Sequence, residues 1–322
     1  MSKPKVFIAM KGVPEVAINL LRKRFEVEIC ESIQSTKEEM LKKIPGFFGI
    51  FCCPSIMINE EVMKAAGPSL KVIGTMSVGY DHVNLPVMKT NGIRLGYTPD
   101  VLTETVAETT VGLLISTTRR FFEANHAVKT GGWKNWTPTW MCGKGIKNSV
   151  VGIIGCGNIG TSIAKKLVTF EISQLLYTSR SEKPAVKALG GKLVTVDELV
   201  EKSDFIILAI ALNEDTKFII NGERLAKMKS HAILVNIGRG GLIDQDELIK
   251  ALQEKRIGGA GLDVMTPEPL PLDNPLMKMD NVVLLPHIGS ASIETRIEMA
   301  LITANNIIAV LDNKPMPNEV HC

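Results

Sequence analysis

The sequence has no long apolar segment, no block of basic residues and no excess of one charge, and each absence excludes a class of protein. No apolar run approaches the roughly 20 residues that a membrane helix requires, and residues 1–5 lack the apolar core of a signal peptide. Lys and Arg total 37 against 34 Asp and Glu, and the net charge of +3 is too small to predict binding to nucleic acid or a membrane. We therefore expect a cytoplasmic protein.

Cysteine is scarce, and its spacing predicts neither a disulfide framework nor a metal site. None of the six cysteines forms a C-x-x-C pair, and a chain of 322 residues is large for a disulfide scaffold. We expect reduced, mostly buried thiols at positions 30, 52, 53, 142, 156 and 322. The sequence also lacks a G-x-S-x-G motif, so the serine-hydrolase alternative loses its main support, and no metal is expected.

Short β-rich runs alternate with helical patterns, in a chain long enough for two domains. This order predicts an α/β protein built from two doubly wound parallel sheets, each with helices on both faces. The runs that we interpret as strands are residues 5–9, 25–30, 49–53, 71–75 and 93–96, followed by 150–154, 174–178, 205–210, 232–236, 259–264 and 282–285.

The boundary between the two series is predicted at a long helix. Residues 103–129 contain no Pro and have apolar residues on most faces, which favours one buried connecting helix. The last helix, over residues 292–311, follows the second series and could pack back onto the first domain. The expected domains are therefore residues 1–102 with 292–322, and residues 103–291.

A glycine-rich turn follows the first strand of the second series. Residues 150–160 read VVGIIGCGNIG, so G-x-G-x-x-G comes directly after a strand and opens a helix. Gly155 permits the tight turn, Gly157 lets the backbone approach a pyrophosphate, and Gly160 lets helix and strand pack closely. With Asn158 and Ile159 at the helix N-terminus, this context predicts dinucleotide binding rather than an ordinary glycine turn.

The end of the next strand indicates which dinucleotide binds. An NAD site usually has Asp or Glu at this point to hold the ribose 2′-hydroxyl, but this sequence has Ser179, Arg180 and Ser181. An arginine can pair with the 2′-phosphate of NADP, and the serines can donate to it. We predict NADP(H), with NAD(H) as the weaker alternative. The other interpretation of Arg180 is that it is a solvated surface residue without a role in binding.

Three ionisable residues follow strand ends later in the chain. Taken singly, Arg239 could be a surface cation, Glu268 a solvated acid and His287 a structural histidine. Together they supply what hydride transfer to a keto acid requires. An arginine can bind the substrate carboxylate and polarise the carbonyl, a histidine can protonate the carbonyl oxygen, and a carboxylate can orient that histidine and favour its protonated form.

These patterns resemble the D-2-hydroxyacid dehydrogenase family, and most closely its glyoxylate/hydroxypyruvate reductase branch, over essentially the whole chain. The residues that show the resemblance are 75–82 (TMSVGYDH), 96–102 (GYTPDVL), 155–160 (GCGNIG), 236–240 (NIGRG), 261–264 (GLDV), 267–271 (PEPLP) and 285–291 (LPHIGSA). Two positions depart from the pattern. Asn158 stands where a related reductase has arginine, and Gly238 stands where serine or threonine is common.

The resemblance implies a flavodoxin-like substrate domain and a Rossmann-type cofactor domain. It implies that Arg239 binds substrate and that Glu268 and His287 form the acid–base pair. The other residues implied are Val78 and Gly79 as backbone donors to the substrate carboxylate, Ser290 near the substrate, Asp263 near the nicotinamide and the arginine, and Ala211, Ile237 and Gly289 in contact with the cofactor.

The expected activity is NADPH-dependent reduction of 2-keto acids of the glyoxylate and hydroxypyruvate type to 2-hydroxy acids such as glycolate and D-glycerate. Two alternatives remain: an NAD-dependent D-2-hydroxyacid dehydrogenase of another substrate, and a nucleotide-sensing interaction protein like the corepressors that share this scaffold.

All three tryptophans, Trp133, Trp136 and Trp140, lie in one loop. We expect a homodimer whose interface includes this loop, because large aromatic residues concentrate at interface cores. The alternative is a loop that packs on its own side chains.

Overall fold

A computed structural model describes residues 2–321 and divides the chain into two compact units. The divisions fall after Leu102 and after Ser290, so the first unit contains both ends of the described chain. Met1 and Cys322 lie outside the described residues, and so does the prediction of a reduced thiol at position 322. The thiols of Cys30, Cys52 and Cys156 are free and buried, that of Cys53 is free and half-buried, and that of Cys142 is free and exposed.

The first unit contains a five-stranded parallel sheet in the order β2-β1-β3-β4-β5. This is the flavodoxin-like order. Its elements are β1 (Lys5–Ile8), α1 (Glu15–Arg22), β2 (Glu26–Ile29), α2 (Lys37–Lys43), β3 (Gly49–Cys52), α3 (Glu60–Ala66), β4 (Val72–Thr75), α4 (Leu85–Thr90), β5 (Arg94–Gly96) and, from the end of the chain, the last helix (Ile293–Leu311).

The last helix belongs to the first unit because small residues let it lie directly on the sheet. A Cβ atom on Gly74 of β4 would be 2.9 Å from Thr303 Cγ2 and 3.0 Å from Ile307 Cδ1. Glycine at this strand position therefore permits the close approach of the helix, which is long and largely apolar on its buried side.

The second unit contains a seven-stranded parallel sheet in the order β12-β11-β10-β9-β6-β7-β8. Its elements are α5 (Thr103–Thr118), α6 (Phe121–Lys129), β6 (Val150–Ile154), α7 (Asn158–Val168), β7 (Gln174–Thr178), α8 (Pro184–Lys187), β8 (Lys192–Leu193), α9 (Val196–Lys202), β9 (Phe205–Leu208), α10 (Gly222–Lys227), β10 (Ile233–Asn236), α11 (Gln245–Gln253), β11 (Gly259–Leu262) and β12 (Val282–Leu284), and the last helix (Ile293–Leu311) of the first unit is α12. The strand order reverses between β6 and β9, as in a Rossmann-type fold.

The predicted fold class, two doubly wound parallel sheets, is confirmed. The central strands are continuous apolar runs because both faces of a parallel sheet are covered by helices, and all four residues of β9 are fully buried. The edge strand β8 was not predicted, since its two residues, Lys192 and Leu193, are exposed and give no buried pattern.

The prediction of one long helix over residues 103–129 is wrong. The helix ends at Thr118, and α6 begins at Phe121 after Arg120, which has a left-handed backbone with φ of 55°. The cause is a distant loop. Thr118 Oγ1 donates to the carbonyl of Lys144 at 2.7 Å, and the backbone at Gly143 lies so close to the Thr118 carbonyl that a Cβ there would be 1.7 Å away.

No helix within residues 2–321 combines the length and apolar character needed to cross a membrane. In the same described part of the chain, no group of His, Cys, Asp and Glu side chains is arranged to hold a metal ion.

An ion pair fastens the C-terminal segment to the edge of the first sheet. Arg94 in β5 donates from Nε to Glu319 Oε1 at 2.8 Å and from Nη2 to Oε2 at 2.6 Å. The guanidinium holds the pKa of Glu319 below its ordinary value. Because the folded-state pKa is the lower one, this stabilisation is present above the unfolded-state pKa and is lost as the pH falls through the folded one.

Arg94→Ala is therefore expected to lower the free energy of unfolding by about 1 kcal/mol near neutral pH, the upper value for a partly exposed pair. The deficit should shrink in acid, once the pH lies below the folded-state pKa of Glu319 and the carboxyl is protonated in both states. Urea unfolding at neutral pH and in acid measures it. Arg22→Ala, which breaks the exposed pair with Glu15, is the control and should have a smaller effect. An equal deficit for Arg94→Ala at both pH values would contradict the argument.

Candidate active site

The polar residues singled out in the second unit lie at the carboxyl edge of its sheet. Because every strand of this sheet is parallel, the segments that follow β6, β7, β9, β10, β11 and β12 all leave the same edge. Ligands of such sheets bind outside this edge, near the point where the strand order reverses. The edge therefore has a cofactor side around β6 and β7 and a second polar cluster around β10, β11 and β12.

The glycine turn between β6 and α7 has the geometry that dinucleotide binding requires. Gly155 has φ of 94°, and a Cβ there would lie 2.7 Å from Ile210 Cβ. A Cβ on Gly160 would lie 2.1 Å from the Gly155 carbonyl oxygen, so only glycine allows this helix-to-strand approach. Gly157, by contrast, faces open space, with no atom within 4 Å of where its Cβ would be.

These residues fit a bound dinucleotide. The open position at Gly157 lies at the N-cap of α7, where the first-turn N–H groups and the positive end of the helix dipole favour a pyrophosphate. Asn158, Ile159 and Gly160 form that first turn.

The structure brings the segment with Ser179, Arg180 and Ser181 next to the glycine turn. Strand β7 pairs with β6, with Thr178 opposite Ile154, and the Thr178 carbonyl accepts from the Gly155 amide at 3.2 Å. Ser179 is half-buried, whereas Arg180 and Ser181 are exposed. Within residues 2–321 no acidic side chain forms an ion pair with Arg180.

Lys183 is a further cation at this place that the sequence interpretation missed. Burial raises the pKa of Cys156, in the glycine turn, to about 12, and the nearby Lys183 ammonium partly opposes that rise. The Lys183 amide donates to the buried hydroxyl of Tyr177 at 3.0 Å, which fixes the segment. The only signal in the sequence was a second cation three residues after Arg180.

Glu268 and His287 form a hydrogen-bonded pair in the second cluster. The imidazole Nδ1 lies 2.8 Å from Glu268 Oε2, and the Met265 amide donates to Glu268 Oε1 at 3.0 Å. A carboxylate can only accept, so Nδ1 is the donor and Nε2 is left on the other side of the ring. Side-chain exposure is 37% for His287 and 34% for Glu268, so the pair is reachable by a small ligand.

The surroundings keep Glu268 ionised. Burial raises its pKa, but the hydrogen bond and charge of His287, the Met265 amide and the charge of Arg239 together outweigh burial, and the net pKa lies below the ordinary value. Glu268 is therefore a carboxylate at neutral pH and accepts a hydrogen bond from His287 Nδ1.

Asp263 holds the His287 segment in place. Its Oδ1 accepts from the Ile288 amide and its Oδ2 from the Gly289 amide, both at 2.8 Å, and its carbonyl accepts from the His287 amide at 2.9 Å. Asp263 is 1% exposed, and burial raises its pKa against the effect of the two amides. His287 itself has φ of 55°, a left-handed backbone that non-glycine residues avoid, and these bonds hold it there.

Arg239 lies in a loop that is shaped by the end of β10. Asn236 is fully buried; its Nδ2 donates to the Arg239 carbonyl at 2.8 Å, and its Oδ1 accepts from the Gly238 amide at 3.1 Å. A Cβ on Gly238 would lie 2.8 Å from Leu242 Cδ1 and 2.9 Å from the Ile210 carbonyl oxygen. Glycine rather than serine or threonine therefore suits this loop. Asn236 was seen in the sequence only as part of a motif.

The remaining residues named from the sequence lie at related places. In the second unit, Ala211 follows β9, Ile237 follows β10, and Ser290 is half-buried beyond His287. Val78 and Gly79 lie in the first unit, in the segment after β4. There the Ser77 hydroxyl donates to the Gly79 carbonyl at 2.6 Å and contacts Thr75 Oγ1, which in turn lies 2.9 Å from Nε2 of the buried His82. The individual site roles stay predictions.

A glycine turn for a dinucleotide and an imidazole–carboxylate pair on the same sheet edge define a nicotinamide-dependent oxidoreductase. Residues 111–289 match the family model of the D-isomer specific 2-hydroxyacid dehydrogenase, NAD binding domain. The chain belongs to the D-isomer specific 2-hydroxyacid dehydrogenase family, as the sequence motifs indicated, and uses a nicotinamide cofactor.

Relatives and solved structures of this family cover nearly the whole chain. A glyoxylate reductase/hydroxypyruvate reductase of Homo sapiens is 44% identical over 98% of this chain and 97% of its own length. A crystal structure of a Thermus thermophilus protein has a TM-score of 0.92 at 38% identity, covering 98% of this chain and 100% of that chain. An NADPH-dependent glyoxylate/hydroxypyruvate reductase of Sinorhizobium meliloti, solved with NADP and malonate, has a TM-score of 0.87 at 30% identity, covering 99% and 97%.

Proposed function

We propose that this protein reduces 2-keto acids of the glyoxylate and hydroxypyruvate type to 2-hydroxy acids, with NADPH as the preferred reductant. The observation that carries the proposal is the 2.8 Å contact between His287 Nδ1 and Glu268 Oε2, beside Arg239 and on the same sheet edge as the glycine turn. Such a pair supplies the proton that carbonyl reduction needs and that a simple binding protein does not need.

The nicotinamide, when bound, supplies the hydride to the keto carbon. His287, protonated and oriented by Glu268, gives a proton from Nε2 to the carbonyl oxygen as its negative charge develops. Glu268 stays ionised and stabilises the imidazolium, consistent with its lowered pKa. In the reverse direction, neutral His287 accepts the hydroxyl proton.

Arg239 binds the substrate in this proposal. A guanidinium can form two parallel hydrogen bonds to a carboxylate, which orients the keto acid and polarises its carbonyl. Its charge already acts on Glu268. Asp263 acts by holding residues 287–289. Val78 and Gly79, in the first unit, are the proposed backbone donors to the substrate carboxylate. Ser290 would line the substrate site, and Ala211, Ile237 and Gly289 the cofactor site.

The proposed substrate class rests on the names of the relatives and on the hydrogen-bonded pair of His287 and Glu268. The human and Sinorhizobium meliloti proteins bear the names of glyoxylate and hydroxypyruvate reductases. The names of the relatives favour the enzyme over a nucleotide-sensing interaction protein. The expected cytoplasmic location stays a prediction.

The preference for NADP(H) rests on charge. Arg180 is exposed and makes no ion pair within the described residues, Lys183 acts on the glycine turn, and no acid stands at the end of β7 to repel a 2′-phosphate. Asn158 supplies no cation, so Arg180 and Lys183 provide the charge.

A homodimer is proposed from the apolar surface around α6. Trp133, Trp136 and Trp140 are 54%, 77% and 40% exposed, which favours association over a loop packed on its own side chains. Phe121 and Phe122 of α6 are 50% and 53% exposed. Exposed aromatic patches of this kind are typical of association surfaces. In such a dimer Trp140 would extend towards the partner's active site.

The first prediction about the proposed function concerns the proton donor. His287→Ala is expected to lower reductase turnover by about 100-fold or more, since a positioned acid–base group contributes at least this much. NADPH binding, measured by fluorescence titration, should be kept. In wild type, turnover should fall on the alkaline side as His287 loses its proton. His231→Ala, an exposed histidine that bonds Asp204, is the control. Near-normal turnover of His287→Ala would remove the assignment.

The second prediction concerns the cofactor. Arg180→Ala should weaken the binding of NADPH by about 10- to 150-fold, the equivalent of one charge-assisted hydrogen bond, and leave the binding of NADH almost unchanged. Lys183→Ala should act in the same direction. Ser179→Asp should go further because it repels the 2′-phosphate and offers a ribose acceptor. Specificity constants for both cofactors measure this, with the exposed Lys165→Ala on α7 as control. A wild type that prefers NADH would contradict the prediction.

The third prediction concerns assembly. Wild type should sediment as a dimer in analytical ultracentrifugation, and Trp136→Ala with Trp140→Ala should shift it towards monomer by removing anchors from the interface. Phe170→Ala removes an exposed aromatic elsewhere and should leave the dimer intact. A wild-type monomer, or a dimer unaffected by the double change, would defeat the proposal.

A further inference from the structure

Gln245, the first residue of α11, binds the backbone of a segment that is distant in sequence. Its Nε2 donates to the Thr266 carbonyl at 2.5 Å, and its Oε1 accepts from the Thr266 amide at 3.0 Å. One carboxamide thus satisfies both backbone groups of one residue. The helix start is itself fixed, since the side chain of the N-cap residue Asp244 accepts from the Glu247 amide and the Asp244 amide donates to the Ile220 carbonyl.

The segment that Gln245 holds is the turn that presents Glu268. The Met265 amide, directly before Thr266, donates to Glu268 Oε1, while Oε2 contacts His287 Nδ1. Thr266 is therefore between the amide that binds the carboxylate and the residue that bears it. A shift of Thr266 would move both.

The loop that carries Arg239 packs against the same turn. A Cβ on Gly240 would lie 2.1 Å from the Met265 carbonyl oxygen and 2.5 Å from Thr266 Oγ1. Residues 239–245 thus run from the proposed substrate-binding arginine, across the turn at Gly240, to the carboxamide that holds Thr266. Gly240 contacts the Glu268 turn near the start of this stretch, and Gln245 contacts the same turn at the end of it.

We propose that Gln245 is a positioning residue for the acid–base pair: its carboxamide fixes Thr266 so that the Glu268 carboxylate keeps its contact with His287. This inference rests on the proposed function, because it assigns Gln245 a part in proton transfer. Within the described residues the side chain of Gln245 hydrogen-bonds only Thr266, so it acts on the pair through that residue.

The chemistry explains why this role requires an amide. The Thr266 carbonyl needs a donor and the Thr266 amide needs an acceptor, and a carboxamide presents both in one plane. An apolar side chain of the same length would pack in the same place but form neither bond. Loss of the two bonds lets the turn move, so Glu268 contacts His287 for a smaller fraction of the time.

The measurable consequence is in the pH profile. Among the described residues, Glu268 is hydrogen-bonded to the ring, Asp263 interacts with the charge of His287, and Arg239 acts on Glu268. If Glu268 is displaced, the protonated imidazole loses its nearest favourable charge, so the alkaline limb of reductase kcat should move to lower pH. We expect a measurable shift of the limb to lower pH and a loss of kcat near neutral pH that stays below the roughly 100-fold loss expected for His287→Ala.

The experiment compares Gln245→Met and Gln245→Ala with wild type. Gln245→Met keeps the length and helix propensity of the side chain and removes both hydrogen bonds to Thr266. If these hydrogen bonds position the turn, Gln245→Met should have the same effect as Gln245→Ala. Gln253→Ala changes an exposed glutamine at the other end of the same helix and is the matched control. Each variant is assayed for kcat and KM across pH, for NADPH affinity, and for the His287 imidazole titration by NMR.

The expected result is a shifted limb and a shifted His287 titration in both Gln245 variants, with NADPH affinity and the Gln253→Ala profile unchanged. Two results would overturn the proposal: a wild-type pH profile in Gln245→Met, or a loss of kcat without any movement of the limb or the NMR titration, which would indicate a purely structural role. Failure of the proposed function is distinguishable, because wild type would then show no keto-acid reduction while the NMR titration still reports on Gln245.

Discussion

The buried carboxylate of Asp263 organises the part of the molecule where chemistry is expected. It accepts hydrogen bonds from the amides of Ile288 and Gly289, and its carbonyl accepts from the amide of His287, so one residue fixes three consecutive amides. A buried carboxylate is unfavourable unless such donors surround it, and donors of this kind in turn hold the backbone that supplies them. The left-handed conformation of His287 persists because these bonds leave its segment no alternative.

The parallel sheet places this segment next to the other polar residues of the candidate site. Strands β10, β11 and β12 are neighbours and end at the same edge, so Arg239, Asp263 and His287 follow adjacent strands although they are far apart in sequence. Glu268 reaches the site by a turn after β11 that is held from two sides, by Gly240 and by Gln245. The glycine turn lies after β6, on the other side of β9, so it shares this edge with the polar cluster, as the proposed binding of a dinucleotide requires.

Much of this arrangement could be predicted because its signals are local. The turn at Gly155, Gly157 and Gly160 is specified by a strand, a spacing of glycines and a helix within a short stretch. The positive φ of Gly155 and the close approach at Gly160 require glycine. His287 and Arg239 could be selected because each follows an apolar run, and a residue after a parallel strand must lie at the sheet edge. Gln245 could not be selected, since its partner, the backbone of Thr266, is distant in sequence.

The sequence by itself determined the fold class, the glycine turn and the family, because periodicity, glycine spacing and ordered motifs are properties of short segments. Only the tertiary structure decided where the helix after Leu102 ends, since the cause is the contact of the backbone at Gly143 with Thr118. The contact of Glu268 with His287, at 2.8 Å, was likewise a tertiary outcome. A hydrogen bond requires its two groups to be within about 3 Å, and a linear pattern contains no distances between segments that meet only when the sheet forms.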